Sequence, residues 1–297
     1  TDRSYYFGRK RRKVQEVPEI FNPGIEHAIL ENAVSGVVAV KIIFNFALFP
    51  GQKQIDAVGI SDSEIPIEAK INSNDFFESL PQYTKIFLGD LNPKSPLISF
   101  DGEKLFFTTE NEVREDIYSV KKTGDNSWST PVLESEFLNK NEVYNHLSAS
   151  YSNFYLKGGA SYSKGTNETG FEILDAQFQL LEKIKISAYN NYDDYASATI
   201  TSDQKTLILG IETDMTQGGH DLYFSNKKAD GTYGLLQNLG KTVNSAGDES
   251  LPQLLSDQKT LLFSSNGFSG FGDNDLFVTY RLDDTWKNWS EPINLGS

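Results

Sequence analysis

The feature that most constrains the fold of this chain is an internal repeat. The hexapeptide SDQKTL occurs twice, at 202–207 and at 256–261, and each copy leads into a run of apolar residues. A related segment, SFDGEKLFFTT, begins at residue 99, and a weaker one, SYSNFYLKGG, begins at residue 150. The spacings are 49, 53 and 54 residues when the four copies are aligned on Leu105, Phe154, Leu207 and Leu261. A period of this length indicates stacked structural units.

Two further landmarks recur in the same order in these units. One is an acidic residue at the start of a short apolar-aromatic run, at positions Asp116, Glu172, Asp221 and Asp275. The other is an aromatic residue followed by a small or apolar residue, at positions Trp128, Tyr233 and Trp289. Each unit of about 50 residues therefore has room for about four short strands separated by polar turns.

The local chemistry of the repeat predicts an all-β fold. Asp-Gly and Asp-Gln pairs fit tight turns, and the apolar runs that follow them have the length of strands. No clean helical periodicity of ten or more residues occurs between 86 and 297; the nearest candidate for a short helical insertion is 134–147. A four-stranded unit cannot bury both of its faces alone, so the copies must stack. Radial stacking gives a β-propeller of four-stranded blades.

The same residues resemble the TolB-like (WD40-like) β-propeller repeat. The segment GDESLPQLLSDQKTLLFSSNGFSGFGDNDLF (247–277) is close to that pattern, apart from Gln258 where Gly is usual. Residues 92–133 and 194–240 match less well, and 141–190 keep the strand spacing but lose the turn residues. The resemblance covers about 200 residues. It implies a propeller fold and a bacterial cell-envelope setting, especially of the Bacteroidetes type, but no particular activity.

The first 85 residues are open to two interpretations. Segments 4–8 and 40–49 could be inner strands of two degenerate blades, which would make six blades with those predicted in 86–297. Alternatively, 1–85 is a separate β-rich module. Residues 1–13 have no apolar core of a secretory signal, so the chain is either cytosolic or begins after processing. The apolar stretch 33–49 contains polar residues and favours buried strands over a membrane helix.

Composition excludes several classes of function. The net charge of −14 disfavours binding to phosphate backbones, so nucleic acid is not an expected partner. The absence of Cys excludes disulfides, thiolate catalysis and cysteine-based zinc sites. The three His have no H-E-x-x-H spacing, and the chain has no G-x-S-x-G, Walker or Rossmann motif. We therefore predict that the protein is not an enzyme and has no cofactor.

Polar residues at a second repeated position are candidate ligands. Stepping 13 residues back from each aligned strand gives Asn92, Asn141, Asp194 and Asp248. In a propeller these positions lie near one mouth of the central channel, where amides and carboxylates could hold a cation such as calcium. A solvated rim is the alternative. The acids that open the apolar-aromatic runs recur because the unit recurs, which favours a structural role over ligand binding.

Two segments are candidates for partner contact. The glycine-rich loop 266–275 carries Phe268 and Phe271, and it is either a plain turn or a contact loop. The basic run consists of Arg9, Lys10, Arg11, Arg12 and Lys13. It is either a solvated tail or an electrostatic contact with an acidic protein or an anionic lipid surface.

These observations and the resemblance together give an expectation of function. We expect a periplasmic interaction scaffold associated with the outer membrane and contacting other envelope proteins, one specific form being a subunit that caps a type nine secretion translocon. The chain itself is not expected to span the membrane. The alternatives are a propeller that binds carbohydrate or another small ligand, with Trp128, Trp286 or Trp289 as stacking surfaces, and a glycan-active enzyme that uses channel carboxylates.

Overall fold

A computed structural model describes residues 86–110, 114–125, 127–141, 144–160, 165–193, 195–271 and 273–296. Of the first 85 residues it describes two strands, β1 (Ser4–Phe7) and β2 (Lys10–Lys13), which pair antiparallel. The chain divides into two compact units, Thr1–Ile71 and Asn72–Ser297. The predicted division after residue 85 stays a prediction, and the apolar stretch 33–49 lies outside the described residues.

The described residues of the second unit form four antiparallel sheets, which are the predicted propeller blades. Blade 1 consists of β3 (Pro93–Ile98), β4 (Lys104–Glu110), β5 (Glu115–Gly124) and the short outer strands β6 (Ser127–Trp128) and β7 (Val132–Leu133). Blade 2 consists of β8 (His146–Ser150), β9 (Tyr155–Gly158), β10 (Glu168–Leu174) and β11 (Leu180–Lys185).

The other two blades follow the same meander. Blade 3 consists of β12 (Ser197–Ile200), β13 (Thr206–Ile211), β14 (Asp221–Asn226) and β15 (Gln237–Asn238). Blade 4 consists of β16 (Glu249–Leu254), β17 (Thr260–Ser265), β18 (Asp275–Tyr280) and β19 (Ile293–Asn294). The all-β propeller prediction is therefore confirmed, with four blades in the described residues rather than six. The two extra blades were predicted from residues 1–85, of which only the hairpin of β1 and β2 is described.

One local prediction was wrong. The segment 134–147 is not a helical insertion: residues 136–138 form a single turn, and His146 already begins strand β8. The turn closes through hydrogen bonds from the Leu138 and Asn139 amides to the Ser135 carbonyl. Leu138 is fully buried at the contact between blades 1 and 2, so tertiary packing rather than helical periodicity explains the apolar residues here. No helix in the described part of the chain is long and apolar enough to cross a membrane.

Apolar side chains between neighbouring blades form the core. Blades 1 and 2 share a cluster that includes Leu97, Phe106 and Leu147. Larger clusters join blade 2 to blade 3 and blade 3 to blade 4. The first strands of successive blades also contact one another, so the start of each first strand lies near the common axis.

The turn between the first and second strands explains why the repeat keeps its Asp. In blade 3, Asp203 Oδ1 accepts hydrogen bonds from the Thr201 hydroxyl and the Lys205 amide, and the next residue, Gln204, has φ of 57°. Blade 4 repeats this geometry, with Gln258 at φ 59°. In blade 1 the same position is Gly102, at φ 74°. The turn thus needs a left-handed residue, which Gly adopts without strain and Gln does not.

The two glutamines should respond differently to replacement by glycine. The Gln258 side chain accepts a hydrogen bond from the Ser202 amide of blade 3 at 2.9 Å, so this Gln links two blades. We expect Gln204→Gly to raise the free energy of unfolding by about 0.5–1 kcal/mol through relief of backbone strain. Gln258→Gly relieves the same backbone strain but loses the hydrogen bond to blade 3. Its free energy of unfolding should therefore be close to that of the wild type. Urea titration of the two variants tests this, and equal gains would contradict it.

Candidate functional site at the loop end of the blades

Two of the four predicted ring residues, Asn92 and Asp248, lie at equivalent points in the fold, and a third, Asn141, lies further from its strand. Asn92 and Asp248 immediately precede the first strands of blades 1 and 4, and Asn141 lies five residues before that of blade 2. Asn92 is exposed, while Asn141 and Asp248 are half-buried. Asp194 lies outside the described residues. The repeat therefore predicts the location of these groups, and their contacts show what they do there.

Asp248 forms hydrogen bonds that link its own loop to two other loops, and we call this set of bonds the Asp248 clasp. Its Oδ1 accepts the His220 backbone amide at 2.9 Å, and its Oδ2 accepts the Asn266 side-chain amide at 3.3 Å. The Asp248 amide in turn donates to Asn266 Oδ1 at 2.7 Å. Asn141 acts locally in a similar way, since its side chain donates to the Tyr144 carbonyl and its amide donates to Asn145 Oδ1. Both side chains are thus engaged with the backbone around them.

A His–carboxylate pair lies beside this clasp. The Nε2 atom of His220 is 3.2 Å from Oδ2 of Asp193, which belongs to the loop between blades 2 and 3. The His220 side chain is 16% exposed and that of Asp193 is 40% exposed, so the pair is open to solvent on one side. The two groups lie within ion-pairing distance, but His220 Nε2 is buried and makes no hydrogen bond among the described residues. Sequence analysis missed this pair because the two residues are 27 positions apart and match no spaced motif.

Two carboxyl groups are fully buried near the clasp. Asp221 accepts hydrogen bonds through Oδ2 from the Gln217 amide and the Asn238 side chain. Glu249 accepts three, from the amide and hydroxyl of Ser245 and from the Ser265 hydroxyl. Burial raises the pKa of Asp221 and the pKa of Glu249, and the charge of Asp221 adds to the rise in the pKa of Glu249. The two groups interact at the contact between blades 3 and 4.

The repeated acids Asp116, Glu172, Asp221 and Asp275 all lie on the third strand of their blades, as the landmarks predict. Asp275 Oδ2 accepts the amide of Phe271, four residues earlier, at 2.6 Å, just as Asp221 accepts that of Gln217. Asp116 pairs instead with Arg114 and Glu172 with Lys140, at 2.8 and 2.7 Å. Each acid thus fixes the segment beside its strand, which supports a structural role.

Blade 2 buries two basic groups that sequence analysis did not single out. Lys157 is 1% exposed and lies opposite Glu172 on the neighbouring strand, and its Nζ has no hydrogen-bond partner. Burial lowers the pKa of Lys157 to about 8. His146 is 5% exposed, and neither ring nitrogen has a partner. Burial, with the charge of Lys157, lowers the pKa of His146 to about 4. In the sequence, both residues occupy ordinary strand positions. No sequence signal therefore distinguishes them from exposed strand residues.

Lys157 gives a test of how this buried charge affects stability. The folded pKa lies below the usual value of 10.5, so the unfolded chain binds the proton more tightly between pH 8 and 10.5, and stability should rise with pH across that range. Lys157→Met should remove this rise and, at pH 7, raise the free energy of unfolding by about 1 kcal/mol. Thermal unfolding at pH 7 and pH 10 measures both effects. A variant less stable than wild type at both pH values would contradict the prediction.

The cation hypothesis gains no support from the described residues. They contain no group of three or more His, Asp or Glu side chains with the geometry to hold a metal ion. A cavity of about 20 Å³, the size of one water molecule, lies beside Glu172 and Lys183 in blade 2.

The predicted contact residues have contrasting surroundings. Phe268 is half-buried and packs on Phe263 and Phe277 in the core between blades 3 and 4, whereas Phe271 is 50% exposed. In the basic run, residues 10–13 form strand β2 rather than an extended tail, and Arg9 lies outside the described residues.

The tryptophans serve mainly in packing. Trp286 and Trp289 are both buried in the core between blades 3 and 4, and the Trp289 ring donates to the Trp286 carbonyl at 2.9 Å. Trp128 is partly exposed at the outer edge of blade 1. Two of the three tryptophans are therefore too deeply buried to stack on a ligand.

Comparisons with known proteins return similarities of structure. No protein-family profile matches the sequence, and no curated protein matches it. A putative TolB from Agrobacterium tumefaciens is 15% identical with a TM-score of 0.42, covering 69% of this chain and 67% of its own. An endo-arabinase from Bacteroides thetaiotaomicron VPI-5482 is 16% identical with a TM-score of 0.45, covering 73% and 85%. TolB from Acinetobacter baumannii is 15% identical with a TM-score of 0.38, covering 64% and 41%. Similarity at this level carries no conclusion about activity.

Proposed function

We propose that this protein is a non-catalytic, periplasmic β-propeller that serves as a protein–protein interaction scaffold. The observation that carries the proposal is an apolar outer edge on two adjacent blades. In blade 1, Val132 and Leu133 of β7 are 59% and 49% exposed, and the nearby Phe137 is 50% exposed. In blade 2, Leu180 and Leu181 at the start of β11 are 43% and 60% exposed.

The outer strands of the other two blades carry polar or buried residues instead. The two residues of β15 in blade 3 are Gln237 and Asn238, both half-buried, and β19 in blade 4 is Ile293 and a buried Asn294. Among the described blades, exposed Leu and Val side chains on the outer strands themselves occur in blades 1 and 2, whereas in blade 3 the exposed Leu235 lies just before the outer strand. Large apolar side chains of this kind form the centres of protein interfaces. The partner would bury them.

The resemblance to envelope propellers supports a partner in the bacterial envelope. A partner associated with the outer membrane, such as a type nine secretion translocon, is the first to test. The net charge of −14 supports a protein partner over nucleic acid. The basic strand β2 could add an electrostatic contact with an acidic partner.

The test is affinity capture from the native host with matched variants. We expect wild type to capture a discrete envelope protein, and Leu181→Asp to lose at least about 90% of it, since a buried unpaired charge costs several kcal/mol at an interface. Leu282→Asp is the control, because Leu282 is equally exposed at 60% but lies on blade 4. Equal capture by both variants, or no partner together with a small molecule that raises the Tm, would contradict the proposal.

A second candidate, a glycan-active enzyme, is favoured by one observation: two carboxylates lie next to His220, that of Asp193 3.2 Å from the ring and that of Asp248 bonded to the backbone amide. Hydrolysis of a panel of polysaccharides by wild type, lost in Asp193→Asn without loss of folding, would establish it. Unchanged turnover in that variant, or none in wild type, would remove this candidate.

A further inference from the structure

Strand β11 forms the outer edge of blade 2 and is the longest outer strand among the described blades. It has six residues, whereas β6, β7, β15 and β19 have two each. Outer strands are usually kept short, because the unpaired backbone groups of a sheet edge can pair with another chain. A six-residue edge therefore offers a place for a partner that is itself an extended strand.

The backbone groups of β11 alternate in direction, and one set of them points away from the sheet. The Ile186 amide donates to the Asn167 carbonyl at 2.8 Å, on the side of β10. The Lys185 carbonyl points the other way and accepts the Tyr233 amide of blade 3 at 2.8 Å. Because a strand has a two-residue period, the amide and carbonyl of Lys183 also point away from β10. Within the described ranges, β11 has no neighbouring strand on that side.

The segment around Tyr233 shows that this edge can pair with an extended backbone. Tyr233 forms a parallel bridge with Ile186, and its carbonyl accepts the Ser187 amide at 2.9 Å. These are the hydrogen bonds of an added strand, but they end at Lys185 and do not reach residues 180–184. A partner segment beside those residues would continue the same pattern of bonds along β11.

One apolar side chain on β11 is directed outward. Leu181 has no partner in the register with β10, so it is the extra residue of a β-bulge. Bulges at sheet edges change the direction of a side chain, and Leu181 is 60% exposed. It therefore provides an apolar anchor next to the open backbone.

The exposed charges on β11 are positive. Lys183 and Lys185 are both exposed, and neither forms an ion pair with any residue that the structure describes. Glu172, opposite Lys183 in the register, is paired instead with Lys140 at 2.7 Å. Lysines on an edge strand repel other basic strands and favour acidic ones. In a protein with a net charge of −14, this edge therefore has the charge that an acidic segment needs.

We propose that β11 binds an extended, acidic protein segment, which adds to blade 2 as a fifth strand and buries Leu181. Backbone hydrogen bonds to Lys183 supply part of the affinity, and the two lysines select for acidic residues in the segment. The proposal rests on the scaffold function proposed above and specifies how the partner of that function binds.

The first experiment measures the binding of synthetic peptides to the full chain by fluorescence anisotropy. The probe is an octapeptide in which Glu and Thr alternate around one Leu. It should bind saturably, and a peptide with Lys in place of every Glu should bind at least about tenfold more weakly. An acidic peptide that does not bind, or that binds no better than the basic one, overturns the proposal.

Methylation of the peptide backbone separates strand addition from charge attraction. In an added strand only one alternate set of amides faces β11. Two peptides methylated on the two alternate sets should therefore differ in affinity at least about tenfold. Equal affinities would show that the peptide binds without strand pairing. If Leu181→Asp loses a captured envelope protein while the acidic peptide does not bind, the scaffold function stands and strand addition is wrong.

A matched pair of variants tests the same backbone contact from the protein side. Lys183→Thr and Lys183→Pro both remove the charge, but only Pro removes the amide that points away from β10, and an edge strand tolerates Pro at such a position. Lys183→Thr should weaken binding of the acidic peptide about threefold. Lys183→Pro should weaken it at least about fivefold further. Equal binding by the two variants would contradict the proposal.

A thiol at Leu181 tests whether the edge is open in the intact protein. Because the chain has no Cys, Leu181→Cys introduces a single thiol. This thiol should react with maleimide in the folded full chain, and the acidic peptide should slow the reaction. A thiol that stays unreactive until the protein unfolds would show that the chain itself covers this edge, and the proposal would be wrong.

Discussion

Acidification from pH 6.5 to pH 4 should lower the free energy of unfolding of this protein by about 3 kcal/mol through His146 alone. The folded pKa is about 4, against an ordinary value of 6.5, and a shift of one unit corresponds to about 1.4 kcal/mol. Between these two values the unfolded chain binds the proton that the folded chain excludes. The contribution of neutral His146 to the free energy of unfolding is therefore fully present above pH 6.5 and is lost as the pH falls towards 4.

The physical cause is the site in which the ring lies. His146 lies edge-on to Phe171, with ring centroids 5.9 Å apart, and against Tyr195 at 6.2 Å. A Cβ added at Gly158 would lie 2.3 Å from the His146 Nε2, so the ring packs directly on the backbone of the neighbouring strand. The charged group that acts on it is Lys157, and among the described residues neither ring nitrogen has a hydrogen-bond partner.

The measurement is urea unfolding at pH 6.5 and pH 4.5 for wild type and His146→Phe. The variant should be less sensitive to acid by about 2–3 kcal/mol. His220→Asn is the matched control, because His220 is partly exposed and already has a carboxylate partner. The buried acids Asp221 and Glu249 have raised pKa values and so gain stability as the pH falls, but they do so equally in all three proteins. An acid response unchanged in His146→Phe would rule out this account.

The second large effect concerns two loops that meet at their backbones. A Cβ added at Gly218 would lie 1.7 Å from the Gly247 carbonyl oxygen, far inside van der Waals contact. Neither partner is a flexible side chain, so Gly218→Ala must separate the loop before β14 from the loop before β16. We expect a loss of about 3 kcal/mol or more, together with weakening of the Asp248 clasp.

Gly234→Ala is the control for this prediction, because its added Cβ would meet only the Asn226 carbonyl oxygen at 3.5 Å, an ordinary contact. It should cost less than about 0.5 kcal/mol. Thermal unfolding of the two variants gives the comparison. Nearly equal melting temperatures would show that the two loops can separate without cost.

Much of the fold was predictable because the repeat is local. The turn Asp, the left-handed position at Gly102, Gln204 and Gln258, and the acid on the third strand each recur at short range along the chain. The contacts that make the candidate site were not predictable in this way. Asp193 and Asp248 both reach His220 only because loops that are distant in the sequence come together in space.

The failures have similar causes. The segment 134–147 was the nearest candidate for a short helix, but it contains a single turn, and Leu138 is apolar because it fills the contact between two blades. Similarly, the sequence around Lys157 is that of an ordinary strand, yet the folded protein leaves this residue only 1% exposed. The prediction of two further blades rests on residues 1–85, most of which lie outside the described residues, so it stays a prediction.

The hydrogen bond from the Ser202 amide to the Gln258 side chain spans 56 residues and joins the turns of two successive blades. A solenoid whose units touch only through apolar side chains can lose its last unit by fraying. Because the Gln258 side chain accepts the hydrogen bond of the Ser202 amide, detachment of blade 4 would expose that amide of blade 3 to solvent. Hydrogen–deuterium exchange at Ser202 would therefore report on the docking of its neighbour, and the two blades should open together as one cooperative segment.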